Sequence, residues 1–589
     1  MKRKYIIINL FGFLIAGNIA TSCNDTFMDR YPIAEISPEN SFKTARDLEL
    51  YTNGFYEHLP EIKSLIEKDL STDNVLYTNI PVEQRSGDRT VPSDVGSGGW
   101  SWGNLRAINL FFDHYNQCTD LVARDKYEGV ARFFRAWFYF DKVKRFGDVP
   151  WYETVIQTGD KDLLYKPRDK REFIIDKIIE DLELAVEKLE NKRTSDQVNC
   201  WTALSLLSRV CLYEGTYRKY HTELKLQGSE VLLEKAYKAA ERVMNESGYK
   251  LYSTGNADTD YRDLFASNDL REEEVILGRR YSLILNKMHN INYYFTSRTQ
   301  KDVGLTKDFV NSYLQLNGKP FTTKPNYETM EFNEEMQNRD KRLAQTIRSI
   351  GYKRIGGNTV ELPDFAATMT GYQVSKFVSD VSQDGDGASY QDIALIRYAE
   401  VLLNYAEAKA ELGLLTQDDI NKSIRLIRIR AGMPNLNMND ANQSPDVIAA
   451  AMYPNVTGAN KGVLLEIRRE RRIELALEGF RWDDLVRWKA GNLLEPHFIG
   501  MYFPSLGEFD LDSDGKNDLL LYKEGDEPKS NVPQKVKLGG VIRLTEDSKG
   551  YLVGFKDNKK KFDEERDYLY PIPTGDLLLN ENLTQNPHW

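Results

Sequence analysis

The sequence predicts a mainly α-helical protein that is built from pairs of neighbouring helices. Apolar residues recur at the spacing of one helix face in several segments of the 589-residue chain. These segments follow one another closely, with small residues where neighbouring helices would cross. This favours antiparallel pairs like those of tetratricopeptide repeats (TPR), although no repeat of fixed length is visible. Stretches rich in Gly and Asp interrupt the helices and predict loop-rich insertions with a few short strands, at 69–104, 250–390 and 492–560.

The helices can be placed one by one from their apolar spacing and their end signals. A first helix is expected over 41–59, before Pro60, and another from Leu105 to Tyr115. Apolar residues at i, i+3, i+4 and i+7 from Val130 predict a helix that ends at Gly147. The remaining helices are expected at 171–189, 206–217, 233–245, 395–413, 421–431 and 463–488.

The segment 463–488 is the most highly charged of these predicted helices. It reads as one long helix with a bend near Gly479. Glu466 and Arg469 are three residues apart, as are Glu478 and Arg481, so opposite charges can meet on the helix surface. We therefore expect a structural helix with a solvated, ion-paired face and no chemistry of its own.

The first 22 residues resemble a targeting signal. A basic start is followed by an apolar run of about a dozen residues, which is too short to span a bilayer. Small residues then precede Cys23, as in a bacterial lipoprotein signal, although Ala20 stands where Leu is usual. The sequence predicts cleavage before Cys23 and a lipid anchor on its thiol. The alternative is an ordinary secretory signal with an incidental cysteine.

Composition and cysteine count exclude some classes of protein. The net charge of −11 argues against nonspecific nucleic-acid binding, which needs clustered Lys and Arg. After Cys23 only Cys118, Cys200 and Cys211 remain. Cys200 and Cys211 are too far apart along one helix to form a bridge. We expect three buried, free thiols and no CxxC metal site.

Four long segments together resemble the SusD/RagB family of outer-membrane lipoproteins. IRRERRIELALEGFRWDDLVRW at 467–488 resembles the C-terminal signature of that family. The other three, in chain order, are ARFFRAWFYFDKVKRFGDVPWY at 131–152, IRYAEVLLNYAEAKAELG at 396–413 and YLYPIPTGDLLLNENLTQNPHW at 568–589. The resemblance extends over nearly the whole mature chain.

This resemblance implies both an architecture and a function. It implies about four TPR-like units and one intertwined globular unit, with a signal peptide at 1–22, an N-terminal region at 23–230 and a C-terminal region at 231–589. It further implies a surface-exposed lipoprotein that captures an oligosaccharide or polysaccharide. Such a protein delivers its ligand to a SusC-like TonB-dependent transporter, as a lid over the outer face of that barrel.

Two alternatives to a glycan-binding lid remain open. One is a SusD-like lid for peptides or another nutrient, and the other is a secreted glycan-degrading enzyme. The six histidines are scattered, and no HExxH, GxxxxGK or GxSxG motif is present. With 89 acidic residues, a glycosidase-type carboxylate pair can be neither recognised nor excluded. We expect no catalytic activity and no catalytic cofactor.

The segment from Trp100 to Asn104 is the best candidate for glycan recognition. Aromatic rings stack on the apolar faces of sugars, and amides satisfy their hydroxyls. If the segment is extended, the rings of Trp100 and Trp102 share one face; if it is helical, only one ring can face a ligand. The alternative is a Trp that fills the junction between loop and helix. Asp73 and Asn74 in the preceding loop are expected to add polar contacts.

A second aromatic cluster lies in the middle insertion. Tyr293 and Tyr294 are followed by Phe295, and three consecutive rings cannot all face the same way. Some of them should therefore be exposed and available to a ligand, the alternative being a core cluster. Tyr372 is a further candidate in the same insertion.

One acidic loop has the ligand spacing of a calcium site. Asp510, Asp512, Asp514 and Asp518 occupy positions 1, 3, 5 and 9 of an EF-hand-like loop, with Gly515 at position 6. Position 12 is Leu521, so the usual bidentate Glu is missing. We expect a structural calcium ion here, the alternative being a solvated acidic turn.

Overall fold

The computed structural model describes residues 41–77, 89–299, 303–526, 528–557 and 561–589. The predicted signal segment and Cys23 lie outside these residues. Within them, no helix combines the length and the apolar character that crossing a bilayer requires.

Helices follow one another along the whole described chain. The long ones carry the scaffold, and the short ones lie within the insertions. In chain order they are α1 (Ala45–Asn53), α2 (Ile62–Leu70), α3 (Gly103–His114), α4 (Leu121–Phe146), α5 (Lys161–Leu164), α6 (Arg171–Lys188), α7 (Cys200–Tyr220), α8 (Ser229–Glu246), α9 (Asp260–Ala266), α10 (Ile291–Thr296), α11 (Lys307–Ser312), α12 (Phe332–Glu335), α13 (Lys341–Thr346), α14 (Tyr398–Glu411), α15 (Gln417–Lys422), α16 (Ile424–Arg430), α17 (Met438–Gln443), α18 (Val447–Met452), α19 (Lys461–Glu474), α20 (Arg481–Arg487) and α21 (Thr574–Leu579).

The scaffold is a row of long helices in which each helix packs on the next. Helix α4 packs on α6, α6 on α7, α7 on α8, α8 on α14 and α14 on α19. Helix α7 lies in the middle of this row and is buried on nearly every side between Cys200 and Tyr217. The mainly helical class and the succession of packed helices that the sequence predicts are therefore confirmed.

In the part of the chain that the structure describes, short strands form four small sheets and no large central sheet. All of them except β4 fall inside the three predicted insertions. The strands are β1 (Val75–Leu76), β2 (Val275–Arg279), β3 (Gly304–Leu305), β4 (Ile393–Arg397), β5 (Ile499–Phe503), β6 (Gly507–Phe509), β7 (Leu519–Lys523), β8 (Gln534–Leu538), β9 (Ile542–Leu544) and β10 (Gly550–Gly554). They pair in the orders β1-β3, β2-β4, β5-β10-β9 and β6-β7-β8, and only β7 and β8 run parallel.

The end of helix α4 agrees with its sequence signal, because the backbone there needs a glycine. Helix α4 ends at Phe146, and Gly147 follows with a positive φ of 72°, a conformation that glycine adopts without strain. The predicted helices at 395–413 and 421–431 were wrong in detail. Leu395 belongs to strand β4, so helix α14 begins only at Tyr398. The predicted helix at 421–431 is divided at Ser423 into α15 and α16.

The predicted bent helix at 463–488 is in fact two helices. The chain leaves α19 after Glu474 and enters α20 at Arg481. Between them Leu477 and Gly479 adopt positive φ values of 62° and 80°, which a continuous helix does not allow. The buried carboxylate of Asp69 accepts a hydrogen bond from the Gly479 N–H at 2.9 Å and so holds the break in place.

The charged face of α19 is buried, which corrects the solvated face expected from the sequence. Glu466 and Arg469 do pair, but both side chains are nearly inaccessible. Glu478 pairs with Lys376 and Arg397 and not with Arg481. The Arg481 guanidinium turns to Asp73 instead. The charges of this segment therefore face other parts of the chain rather than water.

Glu474 lies at the centre of the buried ion-pair network. It is 0% exposed and pairs with Arg342, Arg397 and Arg430. Burial alone would raise the pKa of Glu474, but these three guanidinium groups outweigh it and hold the pKa far below its ordinary value. Arg397 in turn reaches the Glu274 carboxylate at 2.9 Å, so α19 is tied to the strand pair β2-β4.

The three remaining cysteines agree with the sequence prediction. Cys118, Cys200 and Cys211 are all buried and unbridged. Burial raises the pKa of the Cys211 thiol to about 12, so this side chain behaves as a small apolar group.

We predict that Glu474→Gln destabilises the protein by about 3–5 kcal/mol, because it leaves three buried guanidinium groups short of one negative charge. Urea unfolding should measure the loss. Glu246→Gln is the matched control, since the Arg242–Glu246 pair on α8 is half exposed and should change stability by less than about 1 kcal/mol. Equal effects of the two substitutions would show that the network does not stabilise the fold.

Candidate functional site

A cavity of about 570 Å³ opens between the start of α3, the segment after α4 and the C-terminal helix α21. Helix α3 contributes one wall, residues 150–156 a second and α21 the third. Its volume is typical of pockets for small ligands. We call it the Trp102 pocket. It is lined by Trp100, Trp102, Gly103, Leu105, Arg106, Asn109, Pro150, Tyr152, Thr154, Val155, Ile156, Leu164, Tyr165, Asp576, Leu579, Asn580 and Leu583.

The two tryptophans play different parts in this pocket. Trp100 is only 3% exposed, and its ring packs edge-on against Trp102 at 5.3 Å and Phe146 at 4.9 Å. The half-buried Trp102 immediately precedes α3 and contacts Tyr152 at 5.7 Å. Because the Trp100 and Trp102 rings stand at 86°, they do not form a two-ring platform. Both tryptophans precede the helix, so the helical alternative does not apply. The buried Trp100 fills the junction between loop and helix, and Trp102 is the more accessible of the two rings.

Polar groups lie beside these aromatic rings. Asn109 donates through Nδ2 to the carbonyl oxygens of Tyr152 and Thr154, both at 3.1 Å. Its Oδ1 is buried and has no hydrogen-bond partner among the described residues. On the opposite wall, burial raises the pKa of Asp576, whose carboxylate accepts from the Gly96 N–H at 2.8 Å. The pocket thus combines aromatic walls with a few hydrogen-bonding groups.

Asn104 lies outside the pocket. It is exposed in the first turn of α3 and is not among the lining residues. Three pocket residues that the sequence analysis did not single out are Tyr152, Asn109 and Asp576. Tyr152 had a local signal, because it follows Pro150 and Trp151 at the end of a helix. Asn109 and Asp576 had no such local signal, because only the folded chain brings them to the same pocket.

Asp73 and Asn74 are structural residues, which corrects their expected role as ligand contacts. Both are buried, and the Asp73 carboxylate pairs with Arg472 at 2.9 Å and Arg481 at 2.7 Å. The Asn74 Oδ1 accepts from the Arg472 Nε at 2.7 Å. Their polar atoms thus bind the α19–α20 segment rather than a glycan.

Tyr372 is also unavailable to a ligand at the surface. It is 0% exposed, and its hydroxyl donates to Glu335 at 2.6 Å. The sequence expectation for this residue was therefore wrong, because the aromatic ring fills the interior of the middle insertion.

The pair Tyr293 and Tyr294 stays half-buried, whereas Phe295 joins the core. The Tyr293 hydroxyl lies 3.1 Å from the Thr299 hydroxyl. Tyr294 lines a second cavity of about 510 Å³ together with Tyr77 and residues of α2. The structure thus has two separate cavities lined by aromatic residues, one at Trp102 and one at Tyr294.

The acidic loop brings three of its four predicted ligands together. Asp510, Asp512 and Asp514 each offer a carboxylate oxygen within 4.8 Å of the others. Asp518 instead accepts a hydrogen bond from the Leu511 N–H at 2.9 Å, so its carboxylate helps to close the loop. The Asp514 carboxylate pairs with the exposed Lys516 ammonium at 2.9 Å. The loop therefore brings three carboxylates together at one turn.

Comparison with known proteins gives two matches to family models. Residues 273–589 match the model described as SusD family, and residues 56–252 match the model described as starch-binding associating with outer membrane. A SusD-like protein P2 of Formosa agariphila is 23% identical over 99% of each chain. A SusD-like protein of Bacteroides ovatus is 23% identical over 83% of each chain.

Solved structures show the same fold. A SusD-like protein from Bacteroides fragilis superposes with a TM-score of 0.70 at 21% identity, covering 95% of this chain and all of the other. A SusD-like carbohydrate binding protein from the same species superposes with a TM-score of 0.68 at 20% identity, covering 92% of this chain and all of the other. At these identities the likeness concerns the fold.

Proposed function

The chain belongs to the SusD family, and on this premise we propose that it binds a glycan chain in the Trp102 pocket. The observation that carries the proposal is an accessible pocket whose walls present Trp102, Tyr152 and Tyr165 beside the unsatisfied Oδ1 of Asn109. Sugar rings offer apolar C–H faces for such aromatic walls and hydroxyl groups for such acceptors. The role of the protein is binding, with no covalent step.

Exposure of the pocket rim supports access by a large ligand. Tyr165 is 47% exposed and Leu164 42%, so the rim is open to solvent and to an extended chain. The pocket holds one or a few sugar rings, while the rest of a polysaccharide remains outside. This arrangement suits a protein that captures one part of a polymer.

We further propose that the protein is anchored to the outer membrane through Cys23 and faces the cell exterior. The signal-like start of the sequence and the outer-membrane description of the matching family model support this placement. A SusC-like TonB-dependent transporter is the proposed partner. The protein would hold the glycan as a lid over that transporter and release it inward.

We also propose that the loop at Asp510 binds calcium as a structural ion. Three clustered carboxylates are ligands that calcium prefers, and Gly515 with a positive φ of 86° allows the turn that aims them at one point. The loop joins β6 to β7, so a bound ion would hold the edge of that sheet.

For the glycan site, Trp102→Ala should weaken binding of the cognate glycan by about 1–3 kcal/mol, because it removes an aromatic stacking surface. Trp100→Ala should mainly lower stability, by about 3–5 kcal/mol, since Trp100 is buried. Calorimetry and thermal melts of each variant separate the two effects. Phe173→Ala, an exposed aromatic on α6 outside the pocket, is the matched control. Wild-type affinity in a folded Trp102→Ala variant would contradict glycan binding in the Trp102 pocket and favour the Tyr294 cavity as the site.

For the calcium loop, a chelator should lower the melting temperature of the wild-type protein. A hundredfold excess of calcium over its Kd would stabilise the native state by about 2.7 kcal/mol. Asp512→Ala should remove this sensitivity, whereas Asp162→Ala, an exposed acidic residue on α5, should keep it. Melting curves that are identical with and without chelator would contradict the calcium site and favour a solvated acidic turn.

For the anchor, Cys23→Ser should release the protein from the membrane fraction into the soluble fraction. Cys118→Ser is the matched control, because Cys118 is a buried thiol of the folded chain. Fractionation should be done in cells that lack the transporter, so that only the lipid holds the protein. Sedimentation of Cys23→Ser with outer membranes would contradict lipid anchoring at this residue.

A further inference from the structure

A separate cavity of about 340 Å³ lies between α11, α18 and α19, and shares no lining residue with the Trp102 pocket. Helix α11 forms one side, and α18 with the outer end of α19 forms the other. The volume is near the lower end of the range for ligand pockets, so the cavity suits one small molecule. We call it the Asp308 pocket.

Two polar side chains of helix α11 line this cavity and have oxygen atoms without a hydrogen-bond partner among the described residues. Asp308 and Asn311 are three residues apart, on the same face of the helix, and both line the cavity. The Asp308 carboxylate has neither an ion pair nor a hydrogen bond among the described residues, although it is exposed within the cavity. The Asn311 Oδ1 is buried and equally lacks a partner. A buried acceptor without a partner costs free energy, and a ligand that donates to the Asn311 Oδ1 would recover it. The exposed Asp308 carboxylate beside it can accept further hydrogen bonds from the same ligand.

The charges around the cavity determine which ligand fits. Arg472 and Asp73 line the base, and Arg481 pairs with the same Asp73 carboxylate from outside the cavity, which leaves one excess positive charge in this group. Asp308 supplies one negative charge opposite. Although its side chain is exposed, the cavity wall partly shields the carboxyl group from water, and this desolvation raises its pKa. Arg469 pairs with both Asp446 and Glu466, and Glu466 also pairs with Arg428, so the two cations and two carboxylates of this group balance. The cavity is thus close to neutral. A ligand with a net charge would place an uncompensated charge in it, which costs free energy.

One wall of the cavity is apolar. Ile448, Ala449 and Met452 of α18, with Leu465 of α19 and Pro496, face the acceptors on α11. Ile448 is 45% exposed, so this wall is accessible from solvent. A ligand therefore needs hydroxyl or amide donors on one side and an apolar face on the other.

We propose that the Asp308 pocket binds a single uncharged sugar residue, either a free monosaccharide or the end of a glycan chain. Its hydroxyl groups donate to Asp308 and Asn311, and its C–H face packs on the α18 wall. The class of ligand agrees with the proposed function, but the site is distinct, and the protein accordingly has two sugar-binding sites of different size.

The test is calorimetry of the purified full-length protein with neutral monosaccharides (glucose, galactose, mannose, xylose, fucose and N-acetylglucosamine). We expect at least one of them to bind. Asp308→Ala should weaken that binding by about tenfold or more, as expected for loss of a hydrogen bond to a charged group. Asn311→Leu, which keeps the size of the side chain, should also weaken it. Phe173→Ala, an exposed aromatic on α6 outside both pockets, is the matched control and should leave it unchanged.

Several results would overturn this assignment. One is that no monosaccharide of the panel binds, and another is that Asp308→Ala and Asn311→Leu both retain wild-type affinity. Loss of monosaccharide binding in Trp102→Ala alone would place the sugar in the Trp102 pocket, which overturns the second site but supports the proposed function. Binding of free amino acids that Asp308→Ala abolishes would assign the pocket to a zwitterion instead. Melting curves of each variant confirm that its fold is intact.

Discussion

Burial of charge in the α19–α20 segment is the constraint on which the rest of the structure depends. A carboxylate such as Glu474 is stable away from water only when cations surround it, and its three arginines come from α13, β4 and α16. These elements must therefore all be in place at once. The same segment secures Asp73 through Arg472 and Arg481, so it also fixes the loop that leads from α2 towards the insertions. The network joins scaffold and insertions into one body.

The two pockets that we propose as sugar sites lie in different parts of this body. The walls of the Trp102 pocket, beside α3 and α21, are largely aromatic and apolar. The Asp308 pocket lies against the charged segment itself. Because Arg472 belongs to the buried network and also lines the Asp308 pocket, the network influences the charge of that cavity.

The sequence predicted the features that depend on local spacing. Apolar periodicity located the long helices, and Gly147 marked the end of α4 because its backbone requirement is local. The pattern of charges in α19 led to a wrong prediction. Opposite charges at i and i+3 have the same spacing on a solvated helix face and on a buried one. Trp102 could be found as an aromatic in a loop. Asp73 could not be recognised as structural, because its partner Arg481 lies about 400 residues further along the chain.

The C-terminal helix α21 gives the Trp102 pocket a wall from a distant part of the chain. Trp102 and Leu579 are separated by most of the sequence, yet both line the same cavity. Neither the N-terminal region nor the C-terminal segment forms this cavity alone. A proteolytic cut that removes α21 would therefore leave Trp102 on an open aromatic surface, without any change to the tryptophan itself.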